Sequence, residues 1–110
     1  MIECRPEALA LVRDILGCHV PDAVVRAFGS RVTGGARPWS DLDLVVRAET
    51  RLPFIHLARL REAFEASDLP FRVDVIDWHA ISEGFRQVIT RASELVQPST
   101  RGAARDQQAP

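Results

Sequence analysis

The chain has 110 residues, a formal net charge of −1 and no lysine, so all 14 of its basic residues are arginine. This length predicts one domain with a single modest core. The balanced charge provides no basic field for non-specific binding to nucleic acid, so we expect no direct nucleic-acid contact. No segment approaches the ~20 apolar residues that a membrane span requires, so we expect no membrane association.

The two cysteines, Cys4 and Cys18, do not form a Cys-x-x-Cys motif. Their number and spacing argue against a zinc site or a disulfide framework and favour a reducing compartment. Residues 1–5 include an acid and no apolar run, so the sequence predicts no signal peptide. The predicted location is the cytoplasm.

The first predicted element is a helix that begins at Pro6 and ends before Gly17. Its apolar residues recur at helical spacing and predict a stripe that faces the core, made of Ala8, Leu11, Val12 and Ile15. An apolar segment over residues 23–28 predicts the first strand. The chain should then turn at Gly29 and Ser30 into a short helix.

The second strand opens with Asp41-Leu42-Asp43-Leu44. Side chains alternate along a strand, so Asp41 and Asp43 should share one face, about 6.5 Å apart. Two like charges at this distance repel unless a divalent cation joins them. The pattern therefore indicates a metal site, and the alternative is the solvated face of a half-exposed strand.

A third helix is predicted from Pro53 to about Ser67, followed by a strand over residues 71–77. Asp74 falls on the face of this strand opposite its apolar side chains, whereas Asp77 lies at the strand's end. Asp74 is either the partner of an arginine or a third metal ligand, and Asp77 is the weaker candidate for that ligand.

A final helix should begin near Ser82, which is a good cap, and Leu95–Val96 is expected to add an edge strand. From Pro98 the composition becomes polar and predicts a disordered tail over residues 98–110. The predicted domain therefore comprises residues 1–97.

The turn after the first strand has features of a phosphate-binding loop. Backbone N–H groups at a helix start attract phosphate, and Gly29 allows the backbone to approach a ligand closely. Ser30 can donate its hydroxyl. Arg31 and Arg37 can reach the same phosphates, or they are solvated loop arginines. Trp39 either forms a wall of a nucleotide pocket or packs under the loop.

The combination of these features resembles the nucleotidyltransferase superfamily of DNA polymerase beta. An apolar strand, Gly29-Ser30, ten intervening residues and Asp41-x-Asp43 follow one another in that order. In detail the stretch is similar to the smallest branch of the superfamily, the minimal nucleotidyltransferases, and the resemblance spans about residues 23 to 78. Members of this branch are often encoded beside a small helical HEPN protein, and some act as antitoxins.

The resemblance implies an α/β (α+β) fold with a small mixed sheet of three or four strands and helices mainly on one face. It implies that Gly29 and Ser30 hold a triphosphate, and that Asp41, Asp43 and Asp74 hold two Mg²⁺ ions. Asp74 is also the candidate base. The implied activity is transfer of a nucleoside monophosphate, AMP from ATP, to an acceptor such as a HEPN-type partner. Apolar residues near the C-terminus are candidate partner contacts, namely Phe85, Ile89, Leu95 and Val96.

Two alternatives stay open at the level of sequence. The same fold can serve as a non-catalytic module that neutralises a helical partner, although the intact acidic residues favour an enzyme. It can also act as a small-molecule transferase of the aminoglycoside-modifying kind. The sequence leaves open the acceptor, the preferred base, the oligomeric state and the choice between Asp74 and Asp77.

Overall fold

The structure is a computed structural model that describes residues 2–98. Within this range the helices are Pro6–His19 (α1), Ser30–Thr33 (α2), Phe54–Glu65 (α3) and Glu83–Arg91 (α4). The strands are Val24–Phe28 (β1), Leu42–Arg47 (β2), Val73–Asp77 (β3) and Glu94–Gln97 (β4), and a 3₁₀ turn at Trp78–Ala80 follows β3. Apart from Pro98, the predicted tail lies outside the described residues.

The four strands form one mixed sheet in the order β3-β2-β1-β4. β1 is antiparallel to both of its neighbours, β2 and β4, whereas β2 and β3 are parallel. A parallel pair needs a crossover connection, and α3 supplies it. The mixed sheet expected from the sequence is confirmed, and β4 is the expected edge strand.

The core lies between one face of the sheet and the helices α1 and α3. Fully buried Val12 and Leu16 from α1 meet Leu60 from α3 above the sheet. Burial of each such side chain contributes about 1.5–3 kcal/mol. The sheet's contribution to this core consists of Val25, Ala27, Leu42, Leu44, Val46, Val75 and Val96. This face of the sheet is covered by α1 and α3.

α4 lies on the opposite face of the sheet. The ring of Phe85 meets that of Phe28 edge to face, with their centroids 5.8 Å apart, and Ile89 is buried. Ser82 caps the helix as predicted, because its hydroxyl accepts a hydrogen bond from the N–H of Phe85. The expected arrangement therefore holds for α1 and α3, while α4 covers part of the other face.

Several element boundaries differ from the predicted ones: β3 begins at Val73 rather than at residue 71, and α3 ends at Glu65 rather than near Ser67. α1 continues through Gly17 to His19, and it ends where Val20 precedes Pro21, because a residue before proline disfavours helical backbone. β2 begins at Leu42, so Asp41 lies just before the strand rather than on its face. Within residues 2–98, no helix combines the length and the hydropathy that crossing a membrane requires.

Candidate active site

Three carboxylates lie together where β2 and β3 begin. Asp43 and Asp74 are direct partners in the parallel ladder between the two strands, and Asp41 lies two residues before Asp43. Asp43 is half-buried, whereas the other two are exposed. Burial raises the pKa of the Asp43 carboxyl, and the charges of Asp74 and Asp41 raise it further. The site concentrates negative charge in a partly desolvated position.

Gly29 lies directly against this carboxylate group. It follows Phe28, which pairs with Asp43 across β1 and β2. Its backbone φ is +80°, and a Cβ atom added there would overlap Oδ2 of Asp43. Glycine is therefore required at this position by both the backbone conformation and the space that the Asp43 side chain occupies.

The start of α2 lies beside the same carboxylate. Gly29 caps α2, and its carbonyl accepts hydrogen bonds from the N–H groups of Val32 and Thr33, both at 3.0 Å. Ser30 is the first residue of the helix, and its side chain is exposed. The structure thus brings Gly29 and Ser30 to the carboxylates, as the sequence motif predicts.

The prediction that Arg31 reaches a phosphate is wrong, because its guanidinium is buried and occupied by main-chain oxygens. Nε donates to the carbonyl of Ser40 at 2.9 Å, and Nη1 donates to that of Glu3 at 2.6 Å. Nη2 donates to the carbonyls of Arg37 and Pro38 at 3.3 and 3.0 Å. Arg31 therefore fixes the loop over residues 34–40, which carries the chain from α2 to Asp41.

This role of Arg31 was missed at the sequence level, although a signal for it exists. A loop with Gly34, Gly35 and Pro38 forms few regular backbone hydrogen bonds, so its buried carbonyls need another donor. An arginine just before such a loop can supply several donors from one side chain.

Arg37 and Trp39 lie on the outer surface of this loop. The Arg37 guanidinium is exposed and lies 5.8 Å from the centre of the Trp39 ring. Trp39 is 69% exposed, so the interpretation that it packs under the loop is wrong. It instead lines an open groove with Asp41 and Arg72. A phosphate contact by Arg37 stays a prediction.

Asp77 is separated from the other acids and has a structural role. It is 3% exposed. Its Oδ2 accepts a hydrogen bond from the N–H of Leu52 at 2.8 Å, and its Oδ1 accepts one from the N–H of His79 at 2.9 Å. These bonds join the segment before α3 to the 3₁₀ turn. Asp74, which is the partner of Asp43, is therefore the third acid of this site.

The carboxylates provide the oxygen donors that Mg²⁺ prefers. Within the described part of the chain, however, no three His, Cys, Asp or Glu side chains already surround a common point. The backbone register nevertheless brings Asp43 and Asp74 side by side. The exposed side chains of Asp41 and Asp74 can change rotamer without disturbing the core. The donor set and the backbone positions thus fit a magnesium site.

Comparison with known proteins agrees with this geometry. The family model described as polymerase beta, nucleotidyltransferase, matches residues 19–100. The chain is also 48% identical over 96 residues to the probable protein adenylyltransferase MntA of Haemophilus influenzae, covering 87% of this chain and 84% of the relative. The chain belongs to the polymerase beta nucleotidyltransferase family. It is therefore a nucleotidyltransferase, as the sequence motif predicts.

Two solved structures share the fold. One is described as a putative minimal nucleotidyltransferase; it is 32% identical with a TM-score of 0.65, and the match covers 84% of this chain and 96% of that one. The other is an MNT antitoxin in complex with a tri-AMPylated HEPN toxin from Shewanella oneidensis. It is 22% identical with a TM-score of 0.65, and the match covers 86% of this chain and 73% of that one. The fold is thus that of the minimal, polymerase beta-like nucleotidyltransferases.

Proposed function

We propose that this nucleotidyltransferase transfers AMP from ATP, with Mg²⁺, to a hydroxyl group of a HEPN-type partner protein, and so acts as the antitoxin of a toxin–antitoxin pair. The observation that carries the proposal is the position of Gly29 against Asp43, with Asp74 as the direct neighbour of Asp43. In this arrangement, a backbone segment that a phosphate can approach closely lies beside a pair of carboxylates.

Each residue of the site has a role in the reaction that follows from its position. Gly29 lets the backbone approach the triphosphate, and Ser30 donates its hydroxyl to a phosphate oxygen. The carboxylates of Asp41, Asp43 and Asp74 would hold two Mg²⁺ ions, which would supply positive charge to offset that of the phosphates and to lower the pKa of the acceptor hydroxyl. Arg37 extends an exposed guanidinium from the neighbouring loop and is available to the same phosphates.

The covalent step exchanges one phosphorus–oxygen bond for another. The acceptor oxygen attacks the α-phosphorus, and the bond from this phosphorus to the bridging oxygen of the β-phosphate breaks. Pyrophosphate leaves with the bonding electrons, and the proton of the acceptor passes to Asp74. Asp74 suits this task because it is exposed and lies next to Asp43.

The choice of AMP and of a protein acceptor rests on the relatives. The Haemophilus influenzae relative is described as a probable protein adenylyltransferase. The HEPN toxin in the Shewanella oneidensis complex carries AMP groups and is bound to an MNT antitoxin. The fold shared with that antitoxin and the identity to the adenylyltransferase support the same donor and the same class of acceptor here.

Calorimetry with the ATP analogue AMP-PNP tests the site without relying on turnover. We expect Mg²⁺-dependent binding by the parent protein and a loss of at least tenfold in affinity for Asp43→Asn. The matched control is Asp14→Asn, which removes an exposed carboxylate on α1 and should bind as the parent does. Equal, Mg²⁺-dependent affinity in all three proteins would refute the assignment of Asp43.

A further inference from the structure

An open groove adjoins Asp41, one of the three carboxylates, between the start of β3 and the end of α3. Its volume is about 570 Å³. Asp41 lines the groove and also belongs to the carboxylate group, so the two are continuous. Trp39, Phe71 and Arg72 line the groove together with Asp41, and the rest of its lining consists of Phe64, Glu65, Ser67, Leu69, Pro70 and Val73.

The geometry of the displacement indicates that the acceptor approaches the site from the side of β3. The phosphate-binding residues Gly29 and Ser30 follow β1, Asp43 lies on β2, and Asp74 lies on β3. Adjacent strands are about 4.8 Å apart, so the site extends over roughly 10 Å from β1 to β3. In an in-line displacement the attacking and leaving oxygens lie on opposite sides of the phosphorus. If pyrophosphate leaves on the β1 side, the acceptor must approach from the β3 side.

The groove has the surface chemistry of a contact site for protein. Trp39 exposes 69% of its surface, and it has an apolar ring with one hydrogen-bond donor. Phe71 is partly buried, and its ring lies 4.2 Å from the Arg31 guanidinium, which fixes its position. Arg72 is exposed at the same end of β3, and its side chain lies on the face that carries Asp74.

We infer that this groove is the acceptor subsite, and that it binds an extended segment of the partner protein whose hydroxyl group receives AMP. Trp39 and Phe71 pack against an apolar side chain that flanks the hydroxyl-bearing residue, and Arg72 donates to the segment's main-chain carbonyls. The hydroxyl then reaches the α-phosphorus from the side of Asp74. This inference rests on the proposed function, because it assumes that the acceptor is a protein.

Steady-state AMP transfer to the HEPN-type protein encoded beside this chain tests the subsite. We expect Trp39→Ala and Arg72→Ala each to raise the KM for the partner roughly tenfold or more, as loss of an interface anchor does. The KM for ATP should change less than about twofold if the groove belongs to the acceptor. The control is Phe54→Ala, which removes a ring that is 84% exposed at the other end of β2, and it should leave both constants unchanged.

A cross-linking measurement keeps the subsite testable if transfer is absent. Trp39→p-benzoylphenylalanine should cross-link the same partner at a segment that carries a hydroxyl side chain, and Phe54→p-benzoylphenylalanine should not. If cross-links form but the parent transfers no AMP, the groove is a docking site and the proposed function fails. If the parent transfers AMP but the KM for the partner is unchanged in both alanine variants and position 39 gives no cross-link, the subsite is refuted while the proposed function stands. If neither transfer nor cross-linking occurs, both are refuted.

Discussion

Replacement of Arg31 by methionine should destabilise the loop that carries Asp41. Methionine has a similar length and can retain packing against Phe71, but it donates no hydrogen bond. In the parent, four main-chain carbonyls accept from the buried guanidinium, namely those of Glu3, Arg37, Pro38 and Ser40. All four lose this donor at once in the variant, although the Arg37 carbonyl keeps the N–H of Ser40 as a donor at 2.9 Å.

The expected loss of stability follows from the burial of this group. Hydrogen bonds to a charged donor contribute about 1.5–3 kcal/mol each when measured singly, but such values do not add. A buried acceptor left without a donor costs about 1–3 kcal/mol, so the loss of these hydrogen bonds together should cost about 3 kcal/mol or more, out of a total of roughly 5–15 kcal/mol for a domain. At about 4 °C or more per kcal/mol, the Tm should fall by at least ~12 °C.

Thermal unfolding followed by circular dichroism measures this change. Arg31→Lys keeps the charge but has a single donor group, so its Tm should lie between those of Arg31→Met and the parent. Arg59→Met, on the exposed face of α3, is the matched control and should shift the Tm by less than about 3 °C. A shift that small for Arg31→Met, or a lysine variant as stable as the parent, would show that Arg31 does not organise the loop.

Three further substitutions test other parts of the structure. Gly17→Ala should stabilise the fold by about 0.5–1 kcal/mol, measured by urea unfolding, because Gly17 is inside α1 and its Cβ would meet no atom within 4 Å. Gly29→Ala should weaken AMP-PNP binding at least tenfold, whereas Gly35→Ala, with the similar φ of +82° and free space for a Cβ, should bind normally; equal affinities would exclude a specific role for the contact with Asp43. Asp43→Asn should raise the stability in metal-free buffer by at least roughly 0.2–1 kcal/mol, because it removes a charge that is partly buried and that also lies beside the like charge of Asp74. Because the pKa of Asp43 is raised in the folded state, this gain should be present at neutral pH and disappear as the pH falls through that pKa; a gain that persists at acid pH would refute the electrostatic cause.

The sequence was sufficient to predict the elements whose signals are local. The strands β1, β2 and β3 follow from short apolar runs between turn residues, and the cap at Ser82 marks the start of α4. The proximity of Gly29 to the acids was likewise predictable, because two neighbouring antiparallel strands joined by a short connection bring the end of one beside the start of the other.

Features that depend on tertiary contacts were not predictable in this way. Gly17 is helical because the end of α1 is set by the Val20–Pro21 step rather than by glycine. Asp77 differs from Asp74 only in the face of β3 on which it lies and in its backbone partners, Leu52 and His79.

The burial of the four apolar residues that were predicted to contact a partner was likewise not predictable from the sequence. Ile89 and Val96 are buried within the chain itself, whereas Phe85 and Leu95 each keep 38% of their surface exposed. Only the last two are available to another protein, and neither their spacing nor their hydrophobicity distinguishes them from the buried pair.

The intact mass of the HEPN-type partner after incubation with this chain, ATP and Mg²⁺ shows whether the chain transfers AMP to that partner. We expect the partner's mass to rise by whole AMP units with the parent and with Asp14→Asn, and to stay unchanged with Asp43→Asn. A stable complex whose partner never gains mass would favour the non-catalytic binding module. An equal gain with Asp43→Asn would contradict the assignment of the site.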